Sequence, residues 1–228
     1  MPTAIVTGAS SGLGLALAGA LAERGWRLVI DARDVVALEQ AAARLRDRTE
    51  VVASAGDVAD PAHRDALIAA ADAPIDLLVN NASTLGAAPL PPLARYPLDE
   101  LEHVYRVNAL APLALMQTVL PRLAEGARIV NVTSDAAVEA YEGWGGYGSA
   151  KAALEQLTAV FAAEQPALRV YAVDPGDMNT RMQQEAFPGE DISDRPPPSA
   201  SVPALLELID GDLPSGRYSA AALAEAHA

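Results

Sequence analysis

A single α/β domain, its parallel sheet doubly wound with helices on both faces, is the fold this sequence predicts. Three observations carry it. Short runs rich in Val and Ile alternate along the chain with longer stretches of helical character. Most of these runs are apolar throughout, as strands covered on both faces are. A glycine-rich turn, Thr7-Gly-Ala-Ser-Ser-Gly-Leu-Gly14, joins the first run to the first helical stretch.

In chain order, strands are expected at Thr3 to Thr7, Arg27 to Asp31, Glu50 to Ala53, Ile75 to Asn80, Arg128 to Thr133 and Arg169 to Asp174. Helices are expected between them, at Gly12 to Arg24, Val35 to Arg46, Ala62 to Asp72, Leu98 to Leu123 and Tyr147 to Gln165. The apolar segment from Leu13 to Ala22 directly follows the glycine turn and reads as a buried helix. Pro112 falls inside the long fourth helix and is expected to kink or divide it. Phe187 to Pro203, with Pro196-Pro-Pro198, has no core pattern and reads as irregular. It belongs to a candidate substrate loop over 177–203. Pro214-Ser-Gly-Arg-Tyr218 approaches a final strand, but the short Ala-rich tail that follows leaves a seventh strand open.

The 228 residues are long enough for one sizeable core, and no linker divides them, so one domain over 1–228 is expected. With no cysteine, disulfides and cysteine metal sites or nucleophiles are excluded, and His63, His103 and His227 have no ligand spacing, so no metal is expected. A formal charge of −14 opposes nucleic acid and anionic membrane surfaces. There is no run of 18 or more apolar residues and no basic signal start. A cytoplasmic setting is expected.

The chemistry concentrates at Tyr147-Gly-Ser-Ala-Lys151, with Ser134 upstream at the end of Arg128-Ile-Val-Asn-Val-Thr133. Residues i and i+4 share a helix face, so Lys151 can sit beside Tyr147 and favour the ionised phenol. That suits general acid or base work, with Ser134 holding the oxygen that exchanges the proton. At the glycine turn, a strand-to-helix corner presents backbone N–H groups and a positive helix end to an anion. Gly8 makes the turn, Gly12 lets a diphosphate approach and Gly14 lets the helix pack on the sheet.

From the first strand to about Thr180 the chain resembles the short-chain dehydrogenase/reductase family. Thr7, Gly8, Gly12 and Gly14 match its turn, Asp57-Val58 its adenine-side acid, and Asn80-Asn81-Ala82 the element after its fourth strand, with Ser83 where the family has Gly. Asn108, Ser134, Tyr147 and Lys151 match its catalytic tetrad, and Asp174-Pro-Gly-Asp-Met-Asn-Thr180 its nicotinamide-side segment. The resemblance implies a Rossmann-type fold and a dinucleotide held by Gly8, Ser10, Ser11, Gly12, Leu13, Gly14, Arg33, Asp57, Val58, Asn80, Ala82, Tyr147, Lys151, Pro175, Gly176 and Thr180.

Cofactor preference turns on Leu28-Val-Ile-Asp-Ala-Arg33. The family's selector Asp position falls on Ala32 with Arg33 next, which favours NADP(H), because an Arg pairs with a 2′-phosphate. NAD(H) is the alternative, since one residue of slippage would bring the Asp31 carboxylate to the ribose. Alternation puts Asp31 and Ala32 on opposite strand faces, so both cannot serve.

The implied reaction is hydride transfer between nicotinamide and a small carbonyl or alcohol. Tyr147 gives or takes the proton, Ser134 orients the substrate oxygen, Lys151 supports the phenolate and contacts the ribose, and Asn108 holds a relay water. Ser83, Leu85, Ala136, Val138, Trp144, Met178 and Met182 are candidates for an apolar substrate wall, and Glu139, Glu142 and Arg181 for polar selection. Relatives assemble through their long helices, so a homodimer or homotetramer is expected. Two other readings stand beside this one: a nucleotide-sensing or interaction protein without turnover, and a redox-assisted epimerase or dehydratase.

Overall fold

The computed structural model describes residues 1–226; His227 and Ala228, at the end of the Ala-rich tail, lie outside the described residues. The strands are β1 (Thr3–Val6), β2 (Arg27–Ala32), β3 (Val51–Ala55), β4 (Ile75–Asn80), β5 (Leu123–Val132), β6 (Arg169–Asp174) and β7 (Gly216–Ser219). They form one sheet in the order β3-β2-β1-β4-β5-β6-β7, and each neighbouring pair is parallel. The order reverses between β1 and β4, which leaves a crevice at the carboxyl ends of those strands. The helices are α1 (Gly12–Glu23), α2 (Val35–Arg46), α3 (Pro61–Ala69), α4 (Leu98–Tyr105), α5 (Ala111–Val119), α6 (Gly145–Glu164), α7 (Arg181–Ala186), α8 (Val202–Asp210) and α9 (Ala220–Glu225).

The central strands are largely apolar because they feed two cores. Ala4, Val6, Leu28, Ile30, Leu77 and Val79 pack on one face with Leu17 and Leu21 of α1 and Leu205 of α8. Their neighbours Ile5, Val29 and Leu78 pack on the other with Leu115 and Met116 of α5 and Phe161 of α6. Period-two alternation therefore separates the layers, although both sets are buried. Each fully buried Leu or Ile contributes about 1.5–3 kcal/mol. Helix starts are set locally: Asp34 accepts from Val36 N and Ala37 N, and Asp60 from Ala62 N ahead of Pro61.

The long fourth helix divides beside Pro112, as expected. A π-helical turn at Arg106–Leu110 separates α4 from α5, and Pro112, in the first turn of α5, has no N–H for the carbonyl four residues back in that turn. The chain then enters β5 at Leu123, ahead of the apolar run that begins at Arg128. Three helices were not foreseen: α7 inside the candidate loop, α8, whose Leu205, Leu206, Leu208 and Ile209 are buried, and α9 in the Ala-rich tail. A seventh strand does form: β7 pairs with β6 from Tyr171↔Gly216 to Asp174↔Ser219.

Polar groups also tie the layers together. Asn80 donates to Asn131 Oδ1 at 2.7 Å, and Asn131 donates to Thr158 Oγ1 on α6 at 2.8 Å. Asn131 is fully buried, so its loss would strand polar atoms on both neighbours. Asn131→Ala should cost about 2–4 kcal/mol in urea unfolding. Val35→Ala, at an exposed position, should stay within about 0.5 kcal/mol.

Candidate active site

The crevice opens into a cleft of about 620 Å³ that runs from the glycine turn, past the end of β2 and the β3–α3 turn, to Tyr147 and α7. Its frame is a staple across the switch point. Thr7 Oγ1 accepts from Asn81 N at 2.9 Å and Ala82 N at 3.0 Å while donating to Val79 O at 3.2 Å. The Asn81 amide donates to Thr7 O and Gly8 O at 2.9 and 3.1 Å. Gly8 has φ +65, and a Cβ there would come within 2.8 Å of Ala82 Cα, so only glycine suits this crossing. A Cβ on Gly14 would lie 2.5 Å from Gly8 O. Gly14 thus packs α1 against the turn and does not itself line the cleft.

Gly8, Ser10, Ser11, Gly12 and Leu13 line one end. Ser11 is the N-cap of α1 but makes no side-chain capping bond, so first-turn N–H groups remain for an anion. Arg33, directly after β2, is exposed at the rim and has no partner among the described residues. Asp31 is 1% exposed and committed elsewhere: Oδ1 accepts from Gly8 N at 2.8 Å and Oδ2 pairs with His63 Nε2 at 3.0 Å. It is therefore not free for a ribose. Asp57 and Val58 line the same end, with Asp57 Oδ1 accepting from Ala59 N at 2.8 Å.

At the other end Tyr147 and Lys151 are buried together on α6, with Lys151 Nζ 5.5 Å from the phenol ring centroid. The expected depression of the phenol by Lys151 does not arise here. Burial pushes Tyr147 up to about 12; the Ser83 hydroxyl opposes this, and Asp174 and Asp135 add to it. The cation lies over the ring, and Nζ donates to Val132 O at 2.7 Å. Burial also pulls Lys151 down to about 8, opposed by Glu155 one turn along α6. Ser134 lines the cleft, but its hydroxyl donates to Asp135 Oδ1 at 2.7 Å.

Besides Gly14, two of the expected contacts lie outside the cleft. Asn80 is turned into the sheet toward Asn131. Asn108, on the π turn, is fully buried, and its side chain is bonded to the segment after β4. It accepts from Ser83 Oγ at 3.1 Å and Thr84 N at 2.9 Å, and donates to Thr84 O at 2.8 Å. Its second Nδ2 N–H makes no hydrogen bond among the described residues. Ala82, Pro175, Gly176 and Thr180 do line the cleft, and Thr180 Oγ1 caps α7 by accepting from Gln183 N.

The substrate side is apolar at its base, where Leu85, Ala136 and Tyr147 cluster with Trp144 and Met182. Trp144 meets Tyr147 edge-on at 5.6 Å and Phe187 at 5.9 Å. Ser83, Met178, Glu142 and Arg181 also line the cleft; Val138 and Glu139 do not. Phe187, Asp135, Tyr141 and Asp174 were not singled out from the sequence. Asp135 adjoins Ser134, and that adjacency was the available signal; Phe187 lies in a segment with no core pattern.

Among the described residues, no group of His, Asp or Glu side chains is arranged to hold a metal, and no helix is long and apolar enough to cross a membrane.

The cleft's lining, its glycine cradle and its uncapped helix end fit a dinucleotide, which defines the class as a Rossmann-type dinucleotide-binding fold. The family model for short chain dehydrogenases matches residues 2–191, and the chain belongs to that family, whose chemistry interconverts carbonyl and alcohol groups. It is 33% identical over 228 residues to the rhamnolipids biosynthesis 3-oxoacyl-[acyl-carrier-protein] reductase of Pseudomonas aeruginosa, covering 94% of this chain and 82% of that one. It is 34% identical over 201 residues to mouse (Mus musculus) sepiapterin reductase, covering 80% and 76%. A short chain dehydrogenase from Shigella flexneri, solved in complex with NADP, superposes with a TM-score of 0.88 at 26% identity, covering 96% and 97%.

The buried Lys151 carries a stability cost with a defined sign. Its folded pKa of about 8 lies below the ordinary 10.5, so burial of the charge opposes folding below pH 8 and ceases to do so by about pH 10.5. Lys151→Met should therefore raise the melting temperature at pH 7 by a few degrees, roughly 1–2 kcal/mol after loss of the Val132 hydrogen bond. The gap to the unmodified protein should narrow as pH rises toward 10, measured by calorimetry without nucleotide.

Proposed function

We propose that this protein is an NADPH-preferring reductase of small carbonyl compounds, working in reverse as an alcohol dehydrogenase, with Tyr147 as the proton donor. One observation carries the reading: Tyr147 and Lys151 are buried together on one face of α6, in the same cleft that begins at the glycine turn. The bound nicotinamide would supply the hydride. The remaining work falls to the chain's own residues.

Ser10, Ser11, Gly12 and Leu13 offer backbone and hydroxyl donors to a diphosphate, and Thr180 stands across from them. Arg33 is the rim cation for a 2′-phosphate, and Asp31 is withheld from the ribose by its bonds to Gly8 and His63. This agrees with the NADP in the Shigella relative. Tyr147 holds its proton firmly while buried, which suits an acid that must release it only to a developing alkoxide. Lys151 lowers the cost of the phenolate left behind and keeps two further N–H donors for ribose hydroxyls. Ser134 orients the substrate oxygen by exchanging its bond to Asp135 for one to that oxygen. Leu85, Trp144, Met182 and Phe187 exclude water and favour an apolar substrate body.

One domain carries both subsites in this reading, and a cytoplasmic setting belongs to it. Leu98, Leu110 and Val160 expose apolar surface on or beside α4 to α6, which supports assembly as a homodimer or homotetramer.

A panel of aldehydes and ketones assayed with NADPH and NADH tests the function. Turnover with NADPH preferred is expected, and Tyr147→Phe should lower kcat by about 10²–10⁴. Arg33→Ala should raise KM for NADPH about tenfold and leave that for NADH nearly unchanged. Full activity in Tyr147→Phe would sink the mechanism, and tight NADPH binding without turnover would turn the reading to a sensor.

A further inference from the structure

The Asp31–His63 pair has no part in the proton chemistry, yet it stands in the wall of the cofactor cleft. Asp31, in β2, lines the cleft between the glycine turn and Arg33. Each carboxylate oxygen is taken by a different segment, Oδ1 by Gly8 N at 2.8 Å and Oδ2 by His63 Nε2 at 3.0 Å. The side chains are 1% and 8% exposed. His63 belongs to α3, and its ring lies flush against Gly56, where a Cβ would overlap it. Gly56, Asp57 and Val58 in turn line the adenosine end. The charges facing the imidazole are Asp31 from β2, Asp57 from the β3–α3 turn and Asp60 from the N-cap of α3. The Asp31 hydrogen bond holds His63 above its ordinary 6.5, against the opposing effect of burial.

A carboxylate two residues before Arg33 would otherwise work against it, repelling a phosphate and attracting the guanidinium. We propose that His63 neutralises Asp31, so that the Arg33 charge at the adenosine end is not offset from β2 and a ribose 2′-phosphate is accepted there. His63 is thus a positioning residue for cofactor choice. The inference rests on the NADP(H) reading above and deepens it. It separates two duties of Asp31: holding the Gly8 N–H needs only an acceptor oxygen, whereas the negative charge needs a cation.

The test uses adenosine 2′,5′-bisphosphate and 5′-ADP as probes that undergo no redox chemistry, with Kd measured by calorimetry at pH 7 on the unmodified protein, His63→Gln, and the double variant Asp31→Asn with His63→Gln. Glutamine keeps a donor without the charge. His63→Gln should lower the preference for the 2′,5′-bisphosphate about tenfold, the effect of one unit charge across a partly solvated wall. The double variant should restore the preference to within about threefold of the unmodified protein, because it removes the charge and keeps an acceptor for Gly8. Equal weakening of both probes in His63→Gln, or a double variant as impaired as the single one, would assign the pair to shape and overturn the proposal. An unmodified protein that prefers 5′-ADP would overturn the NADP(H) reading and this proposal together. An unmodified protein that prefers the 2′,5′-bisphosphate, with a ratio that His63→Gln leaves within twofold, would overturn this proposal alone.

Discussion

The staple between Thr7 and Asn81 is the constraint from which the rest of the site follows. Parallel strands that diverge at a switch point leave the carboxyl ends of β1 and β4 without a shared ladder beyond Val6 and Val79. Thr7 Oγ1 and the Asn81 amide supply that missing pairing with side-chain atoms. The glycine turn is thereby fixed against the segment that carries Ser83 and Thr84, which in turn hold Asn108. One set of short bonds couples the anion cradle to the π turn behind Tyr147. A turn with a larger residue at position 8 could not come this close.

Electrostatics at the two ends of the cleft run in opposite senses. Around α6, burial dominates, so the phenol keeps its proton and the ammonium is poised to lose one. Around β2 and α3, ionised groups meet directly, and hydrogen bonding dominates over burial at His63. The difference is one of partners. Lys151 faces a ring and a carbonyl oxygen, whereas His63 faces a carboxylate. A buried charge with a neutral partner shifts toward neutrality, and one with an opposite charge does not.

Much of this was legible in the sequence because it depends on local rules. The glycine turn, the apolar strands and the Tyr147–Lys151 spacing each follow from residues near one another in the chain. Fold class and family come from those alone, and six strands fall close to where the apolar runs put them. What was not legible depends on distant partners. Asn80 and Asn108 sit in the expected order, but Asn131 turns the Asn80 side chain into the sheet, and Ser83 and Thr84 hold that of Asn108 outside the cleft lining. The helix break was visible as a proline, but its form, a π turn over Arg106–Leu110, was not. β7 is short and half exposed, and what holds it is its ladder with β6, with Tyr218 edge-on to Tyr171 at 5.9 Å and Arg217 reaching Glu155 at 2.9 Å.

Ser83 shows how a single departure from a family pattern can be absorbed. Where relatives carry glycine, its hydroxyl donates to Asn108 and acts on the Tyr147 phenol, against the effect of burial. A glycine would leave the Asn108 carbonyl with the Thr84 N–H as its remaining partner and the phenol with no nearby hydroxyl. The serine therefore links the segment after β4 to the Tyr147 phenol on α6 and compensates part of the desolvation that this narrow, apolar pocket imposes. The burial that keeps water from the phenol makes the phenolate costly, and a hydroxyl at position 83 is placed where that cost is felt.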